Sequence, residues 1–366
     1  MSLLNNQFLR EPYYKRLLQL MPDYSVYGIG DGKRHISDII QIQSGNRGRV
    51  FFFDQEPIHY QLDADLWQWL NTEPTILANS EENSFHKRAL MSRHSNVIDW
   101  SYFSHLLAAD YWFGSFLRRM AGQWPASFNF NRKRDFMVSS NLNTGTRGYR
   151  LYAMYHLLKR GALDHSYYSF GGGSGWYNAL KEHDPYSLLS NSDLVSVLPQ
   201  YDISYDDFGG FKSTERSLLS THIDHDRERR SMISVVMETT VDQHQTHLTE
   251  KILKPIALGK PFMLMSGKGS LEYLRQFGFE TFGELWNEKY DTVDNHRDRI
   301  DMVIELCCWF SKRSNTQKQQ IMDRAGEIAL RNWQKFWGEY SSQLAMRQAE
   351  KRFNRAELSL PALRRE

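Results

Sequence analysis

Ser231-Met232-Ile233-Ser234-Val235-Val236-Met237-Glu238-Thr239-Thr240, and beyond it Thr249-Glu250-Lys251-Ile252-Leu253-Lys254-Pro255-Ile256-Ala257-Leu258-Gly259-Lys260-Pro261-Phe262-Met263-Leu264-Met265, decide the fold. Ser231 to Met237 is a short apolar run with β-branched residues, the mark of a buried strand. It stops at Glu238. Thr249-Glu250-Lys251 then opens a helix that reaches Leu258, with Gly259 as its stop. Pro261 to Met265 is the next strand, ended by Ser266-Gly267-Lys268-Gly269-Ser270. Strand, polar turn, helix and strand again is the pattern of a parallel α/β sheet.

The same unit recurs on either side. Upstream, Asp135 to Ser140 reads as a strand, and Asn141 to Arg150 as a polar, glycine-containing turn. Leu151 to Leu158 is an amphipathic helix closed by Lys159-Arg160-Gly161. Downstream, Leu271 to Gln276 is a helix, followed by Gly278-Phe279-Glu280-Thr281-Phe282. Nearer the start, Val50-Phe51-Phe52-Phe53 is a buried parallel strand ended by Asp54-Gln55-Glu56-Pro57. Thr75 to Ala78, before Asn79-Ser80-Glu81-Glu82-Asn83, repeats that design. Ser101 to Arg119 is rich in aromatics without a clean period and reads as irregular helix or loop. Gly122 to Arg134 is a linker. From residue 294 the chain is helical; residues 317–357 form one or two long charged helices with Trp333, Phe336, Trp337 and Tyr340 as an aromatic stripe. The expected organisation is α/β with two Rossmann-like lobes. Residues 1–130 form one lobe, 135–316 a second, and 317–366 helices packed across both.

Composition narrows the classes. The 366 residues carry 45 Lys+Arg against 43 Asp+Glu, a formal charge of +2. That balance argues against a highly basic nucleic-acid coat and against an acidic disordered tail. Aromatics at 14% supply enough large apolar side chains to offset the entropy of ordering. No apolar run approaches the ~20 residues of a membrane span, and Met1 to Arg16 lacks the apolar core of a signal peptide. The two cysteines, Cys307 and Cys308, are adjacent, which disfavours a disulfide and suits a buried helix face. The expected compartment is a reducing cytoplasm.

Ligands of open parallel sheets bind outside the carboxyl ends of the strands. There this chain carries Asn143, Arg147 and Arg150 after one strand, and Glu238 after the next. Lys268 sits in the Gly-rich turn after the third, and Glu250-Lys251 opens the intervening helix. Arginines and a lysine beside a helix N-terminus suit a phosphate dianion. A carboxylate in the same turn, Glu250, suits ribose hydroxyls. Phosphate grip with ribose grip means a nucleotide. The chain lacks the glycine fingerprints of a dinucleotide-binding fold and of a P-loop. His222-Ile223-Asp224-His225-Asp226 fits no standard metal spacing and reads as a solvated charged loop; no metal is assigned. Gly171 to Gly175 reads as a flexible cleft or hinge loop, and Tyr205-Asp206-Asp207-Phe208 is only a weak acidic pair.

Glu238-Thr239-Thr240 with His247-Leu248-Thr249-Glu250-Lys251 and the run to Pro261-Phe262 resembles the donor-binding motif of α-1,3-fucosyltransferase-like glycosyltransferases. It is still more similar to uncharacterised glycosyltransferases of that type from bacteriophages and giant viruses. Gly269 to Phe282, Asn287 to Asp291, Asn143 with Arg147 and Arg150, and Phe53 to Pro57 extend the resemblance over most of residues 50–300. It implies a two-lobed GT-B fold, with residues 1–130 as the acceptor-side lobe and 135–316 as the lobe that binds a nucleoside-diphosphate sugar donor. Arg147 and Lys251 would bind the diphosphate, Glu250 the ribose, and Glu238 would lie near the donor sugar or nucleotide. Arg150 would be a second phosphate ligand or a structural ion-pair partner. Cationic side chains and a helix dipole, with no metal cofactor, would stabilise the leaving diphosphate.

An inverting transfer needs a carboxylate in the other lobe to take the acceptor's proton. Asp54 and Glu56 are the candidates, with Glu81 and Glu82 in reserve; a retaining mechanism stays open. The viral resemblance raises hydroxymethylated DNA bases as acceptor. The basic groups Arg118-Arg119, Arg132-Lys133-Arg134 and Lys351-Arg352 would hold its backbone. A glycan, lipopolysaccharide precursor or protein hydroxyl is the alternative acceptor. A catalytically inactive nucleotide or nucleic-acid binding protein is the rival class, and a structural virion or host-interaction protein a third. For a phage-encoded protein the compartment would be the host cytoplasm.

Overall fold

The computed structural model describes residues 12–29, 35–53, 58, 63–82, 84–119, 134–140, 147–170, 175–198, 223–241 and 245–363. It is an α/β chain with two sheets and a helical C-terminal segment. The chain divides into two compact units. The first is Met1–Ser115, His244–His247 and Glu339–Glu366; the second is Phe116–Gln243 and Leu248–Gly338. The expected linker and the motif Tyr205-Asp206-Asp207-Phe208 lie outside the described residues, apart from Arg134.

The first unit holds a mixed five-stranded sheet. Its strands are β1 (Ser25–Ile29), β2 (Ile39–Gln43), β3 (Arg49–Phe53), β4 (Thr75–Asn79) and β5 (Val97–Ser101), in the order β2-β1-β3-β4-β5. β1, β3, β4 and β5 are parallel, and β2 returns antiparallel on β1, so this sheet is not wholly parallel. Phe51 is paired to Tyr27 on one side and Leu77 on the other. Every residue of this central strand is buried, so both faces of β3 are covered, which is why its run is continuously apolar. Phe51 and Phe53 pack with Leu66, Trp67 and Leu70 of helix Ala64–Leu70. Each such side chain contributes roughly 1.5–3 kcal/mol on burial. Asp63 caps that helix by accepting from Leu66 N at 2.8 Å.

Of the alternatives helix or loop for Ser101 to Arg119, the structure has a helix, Ser104–Arg119, and β5 precedes it as a strand not expected from the sequence. The strand was hidden by Asp99, a charge in an apolar run. Lys87 Nζ meets that carboxylate at 3.0 Å and Asn79 Nδ2 donates to it at 2.7 Å. The C-terminal helix Tyr340–Leu363 lies on β4 and β5. Trp100 Nε1 donates to Ala349 O at 2.9 Å, Phe353 packs on Trp100 and Tyr24, and Tyr24 Oη donates to Glu357 at 2.9 Å.

The second unit holds a wholly parallel four-stranded sheet: β6 (Arg134–Ser140), β7 (Tyr167–Phe170), β8 (Ser231–Met237) and β9 (Phe262–Met265), ordered β7-β6-β8-β9. β6, β8 and β9 fall where the apolar runs put them. Helices Tyr149–Lys159, Glu250–Ala257 and Ser270–Gln276 follow β6, β8 and β9. Cys307 and Cys308 are both buried and free in helix His296–Ser311. Helix Asn315–Trp337 belongs to this unit and anchors by Trp337 Nε1 donating to Ala257 O at 2.9 Å. His225–Arg230 is a short helix capped by Asp224, not the loop expected. Asp224 accepts from the amide of Arg227, three positions on, at 3.1 Å and supplies the cap that starts it. Gly175 opens helix Gly175–Glu182, and the rest of that glycine-rich stretch lies outside the described residues.

Candidate functional site at the carboxyl edge of the second sheet

In the order β7-β6-β8-β9 the chain leaves β6 for β7 on one side, and β8 then lies on the other. The carboxyl ends of β6 and β8 therefore flank a topological switch point, where open α/β sheets bind ligands. Arg147, Arg150, Glu238, Glu250 and Lys251 all gather there. Asn143, Asp54 and Glu56 lie outside the described residues.

After β6, Arg147 is half-buried two residues before helix Tyr149–Lys159. It is near enough to the Tyr149 phenol to favour its ionised form. Burial outweighs that effect and pushes the Tyr149 hydroxyl up to about 12, so it is a hydrogen-bond donor. It donates to the Glu238 carbonyl. Arg150 is buried, and its Nη2 donates to Met237 O at 3.1 Å and Glu238 O at 2.8 Å. Of the two roles read from sequence, phosphate ligand or ion-pair partner, neither describes these bonds. The guanidinium holds the end of β8 through carbonyls.

Glu238 is 0% exposed. Its Oε1 accepts from Thr249 N at 3.1 Å and its Oε2 from Thr249 Oγ1 at 2.6 Å. Thr249 is the N-cap of helix Glu250–Ala257. Its Oγ1 lies 3.4 Å from Lys251 N and 3.2 Å from Lys251 Nζ. The Lys251 ammonium also meets Glu250 Oε1 at 2.7 Å and lies 3.5 Å from Thr239 Oγ1. The pair is only partly covered, with the lysine side chain 30% exposed. Burial raises the Glu238 carboxyl, and the Lys251 ammonium and the Thr249 hydrogen bonds pull it back down. Thr249 was missed as a functional residue, although a threonine directly before Glu-Lys at a helix start is an N-cap signal.

Arg299 was missed as well, and no local signal marks it. It is buried in helix His296–Ser311. Its nitrogens donate to Ser266 O at 3.3 Å, Val293 O at 2.6 Å, Asp294 O at 2.9 Å and Val241 O. It thereby ties the exits of β8 and β9 together and adds a fixed positive charge. Lys268, in the turn after β9, meets Asp294 at 2.6 Å.

At the carboxyl end of β4 in the first unit, Glu81 is buried and accepts from Ile58 N, while Lys87 Nζ donates to its carbonyl at 2.5 Å. Glu82 pairs with Arg352, which also donates to Ser101 O at 2.9 Å. Both reserve acids, and one of the basic residues offered for DNA, are thus used within the unit. Ser80 Oγ lies 3.0 Å from His247 Nδ1, and the rings of His247 and His105 stand edge to face at 5.4 Å. Of the remaining basic groups, Arg134 opens β6 with its guanidinium 5.4 Å from the Tyr167 ring. Among the described residues no group of three or more His, Cys, Asp or Glu is placed to hold a metal ion. No described helix is long and apolar enough to cross a membrane. No protein-family model and no curated protein matches the chain.

Proposed function

We propose that this chain is a GT-B-type glycosyltransferase of the α-1,3-fucosyltransferase-like kind, and that the second unit grips the diphosphate of a nucleoside-diphosphate sugar. The observation that carries the reading is the Thr249-Glu250-Lys251 helix start beside Arg147 at the switch point of a parallel sheet. The helix N-terminus turns its positive dipole end toward an anion. Lys251 and Arg147 add charge, and Glu250 is an acceptor for ribose hydroxyls. As the sugar leaves, negative charge grows on the diphosphate. Donors already fixed in place stabilise it without reorganising, and on this reading no metal cofactor is needed.

The acceptor hydroxyl must lose a proton. We assign the base role to Asp54 or Glu56; Glu82, held in reserve for it, is paired with Arg352. The acceptor on this reading is a hydroxymethylated DNA base or, equally, a glycan, lipopolysaccharide or protein hydroxyl. The test is transfer from UDP-, GDP-, CMP- and dTDP-sugars onto hydroxymethylated DNA, with Asp54→Asn and Glu56→Gln beside the native chain. One of the two substitutions should lower turnover by about 100-fold or more, in line with loss of a general base, while donor binding persists. Donor binding without turnover on any acceptor would favour the inactive nucleotide-binding protein.

A further inference from the structure

Glu238 places a fully buried carboxylate at the end of β8. Both of its oxygens are spent on one residue. Thr249 supplies its amide to Oε1 at 3.1 Å and its hydroxyl to Oε2 at 2.6 Å. A threonine hydroxyl has one proton to give and two lone pairs to offer. That hydroxyl donates to Glu238 Oε2, so its proton points at Glu238. The lone pairs then face the other side, where Lys251 Nζ lies at 3.2 Å and Lys251 N at 3.4 Å.

We infer that Glu238 is a positioning residue: it never meets the ligand, but orients the Thr249 hydroxyl, which in turn holds the Lys251 ammonium at the mouth of the site. For the identity of the ligand this rests on the nucleotide-sugar reading above. For the relay itself it rests on the bonds alone. The groups that face Glu238 are Thr249, Glu250 and Lys251 from the following helix and Tyr149 and Arg150 from helix Tyr149–Lys159. Tyr149 and Arg150 bond its carbonyl, so the carboxylate has Thr249 as its hydrogen-bonding partner and Lys251 as its counter-charge.

The isosteric change to glutamine is a sharp probe. A carboxylate offers two acceptors; an amide offers one acceptor and one donor pair. In Glu238→Gln either the Thr249 amide or its hydroxyl must lose its acceptor, and the hydroxyl is free to turn its proton toward Lys251. Thr249→Val keeps the shape and removes the relay; Thr249→Ser keeps the relay.

The experiment labels lysine at Cε with ¹³C and follows Lys251, assigned by its loss in Lys251→Arg, in the ligand-free chain. Melting by circular dichroism shows that each variant is folded. Glu238→Gln and Thr249→Val should each move the Lys251 resonance, and the double variant should move it no further than the larger single change. Thr249→Ser should leave it in place. A Lys251 resonance unmoved by Thr249→Val overturns the inference, whatever the ligand data show. In a second arm, titration with nucleoside-diphosphate sugars should give about tenfold weaker binding for Glu238→Gln and for Thr249→Val, the scale of one charge-assisted hydrogen bond, and near-native binding for Thr249→Ser. Native-strength binding by both weakened variants also overturns it. If the unaltered chain binds no such sugar while the resonance behaves as stated, the donor reading falls and the relay stands.

Discussion

Lys318 and Asp135 show what a single buried contact decides. Lys318 Nζ lies 2.8 and 2.7 Å from the two oxygens of Asp135, at the start of β6, and both side chains are 6% exposed. Lys318→Met would leave a buried carboxylate without its cation, a loss of about 3–5 kcal/mol on removing one partner of such a pair. Urea unfolding at pH 7 measures it. Burial holds the Asp135 carboxyl above its ordinary value in spite of Lys318. The folded chain therefore favours the protonated acid. That advantage is full below the ordinary value and is lost as pH rises through the raised one, so the penalty of Lys318→Met should shrink in acid. Glu280 runs the other way. Hydrogen bonds from Arg331, with Lys335 beside it, hold its carboxyl below the usual range. Its contribution is present above the ordinary value and lost as pH falls through the lowered one. The cluster is solvent-facing, so Glu280→Gln should cost only about 0.5 kcal/mol at pH 7, and nothing once Glu280 is protonated. Urea melts at the two pH values would show the difference. At this scale the sequence was partly legible. Glu250 and Lys251 could be chosen because their types suit a nucleotide at a helix start, but the internal use of Arg150, Glu238 and Arg299 depends on which carbonyls and amides the fold brings near them.

At the scale of elements, turns and caps carry the information. Helix Tyr149–Lys159 ends with Gly161 at φ 69°, and Glu250–Ala257 with Gly259 at φ 58°. Each makes the same pair of closing bonds: Gly161 N to Leu158 O with Ala162 N to Leu157 O, and Gly259 N to Ile256 O with Lys260 N to Pro255 O. Both stops were readable because only glycine takes that conformation cheaply. Gly45 is constrained differently. A Cβ there would stand 2.2 Å from Asp23 O. Gly45→Ala must push the turn after β2 away from the Asp23-Tyr24 backbone that leads into β1, and should cost about 1–3 kcal/mol; thermal melting of the purified variant is the check, and a native melting temperature would refute the packing. The strands β3, β4, β6, β8 and β9 were legible as continuous apolar runs. β5 was not, because Asp99 breaks its pattern and its compensating Lys87 comes from a helix. Nor was β7, whose four residues Tyr167-Tyr168-Ser169-Phe170 are too few to show a period. Helix Ser104–Arg119 was legible only as helix or loop, because its aromatic-rich sequence shows no clear helical repeat.

At the scale of the whole molecule, each unit has its own sheet and its own share of the helical tail. The tail itself was readable from charge and aromatic spacing, but its division was not. Helix Asn315–Trp337 stays with the second unit and Tyr340–Leu363 with the first, because Trp337 bonds Ala257 while Trp100 bonds Ala349. The aromatic stripe breaks at the same place: Phe336 is buried but Tyr340 is 51% exposed. The wholly parallel order of the second sheet is what brings Arg147, Glu238 and Lys251 to one edge, and the nucleotide reading depends on that convergence. The measurement that tests it most directly is thermal unfolding of the native chain and of Lys251→Ala with UDP-, GDP-, CMP- and dTDP-sugars, each run in EDTA and in Mn²⁺. A donor at about 100 times its Kd adds about 2.7 kcal/mol to a state that binds it. The account predicts a rise of several degrees with one donor, the same in EDTA, and a rise much reduced or absent in Lys251→Ala. No rise with any donor, or an equal rise in Lys251→Ala, would contradict it.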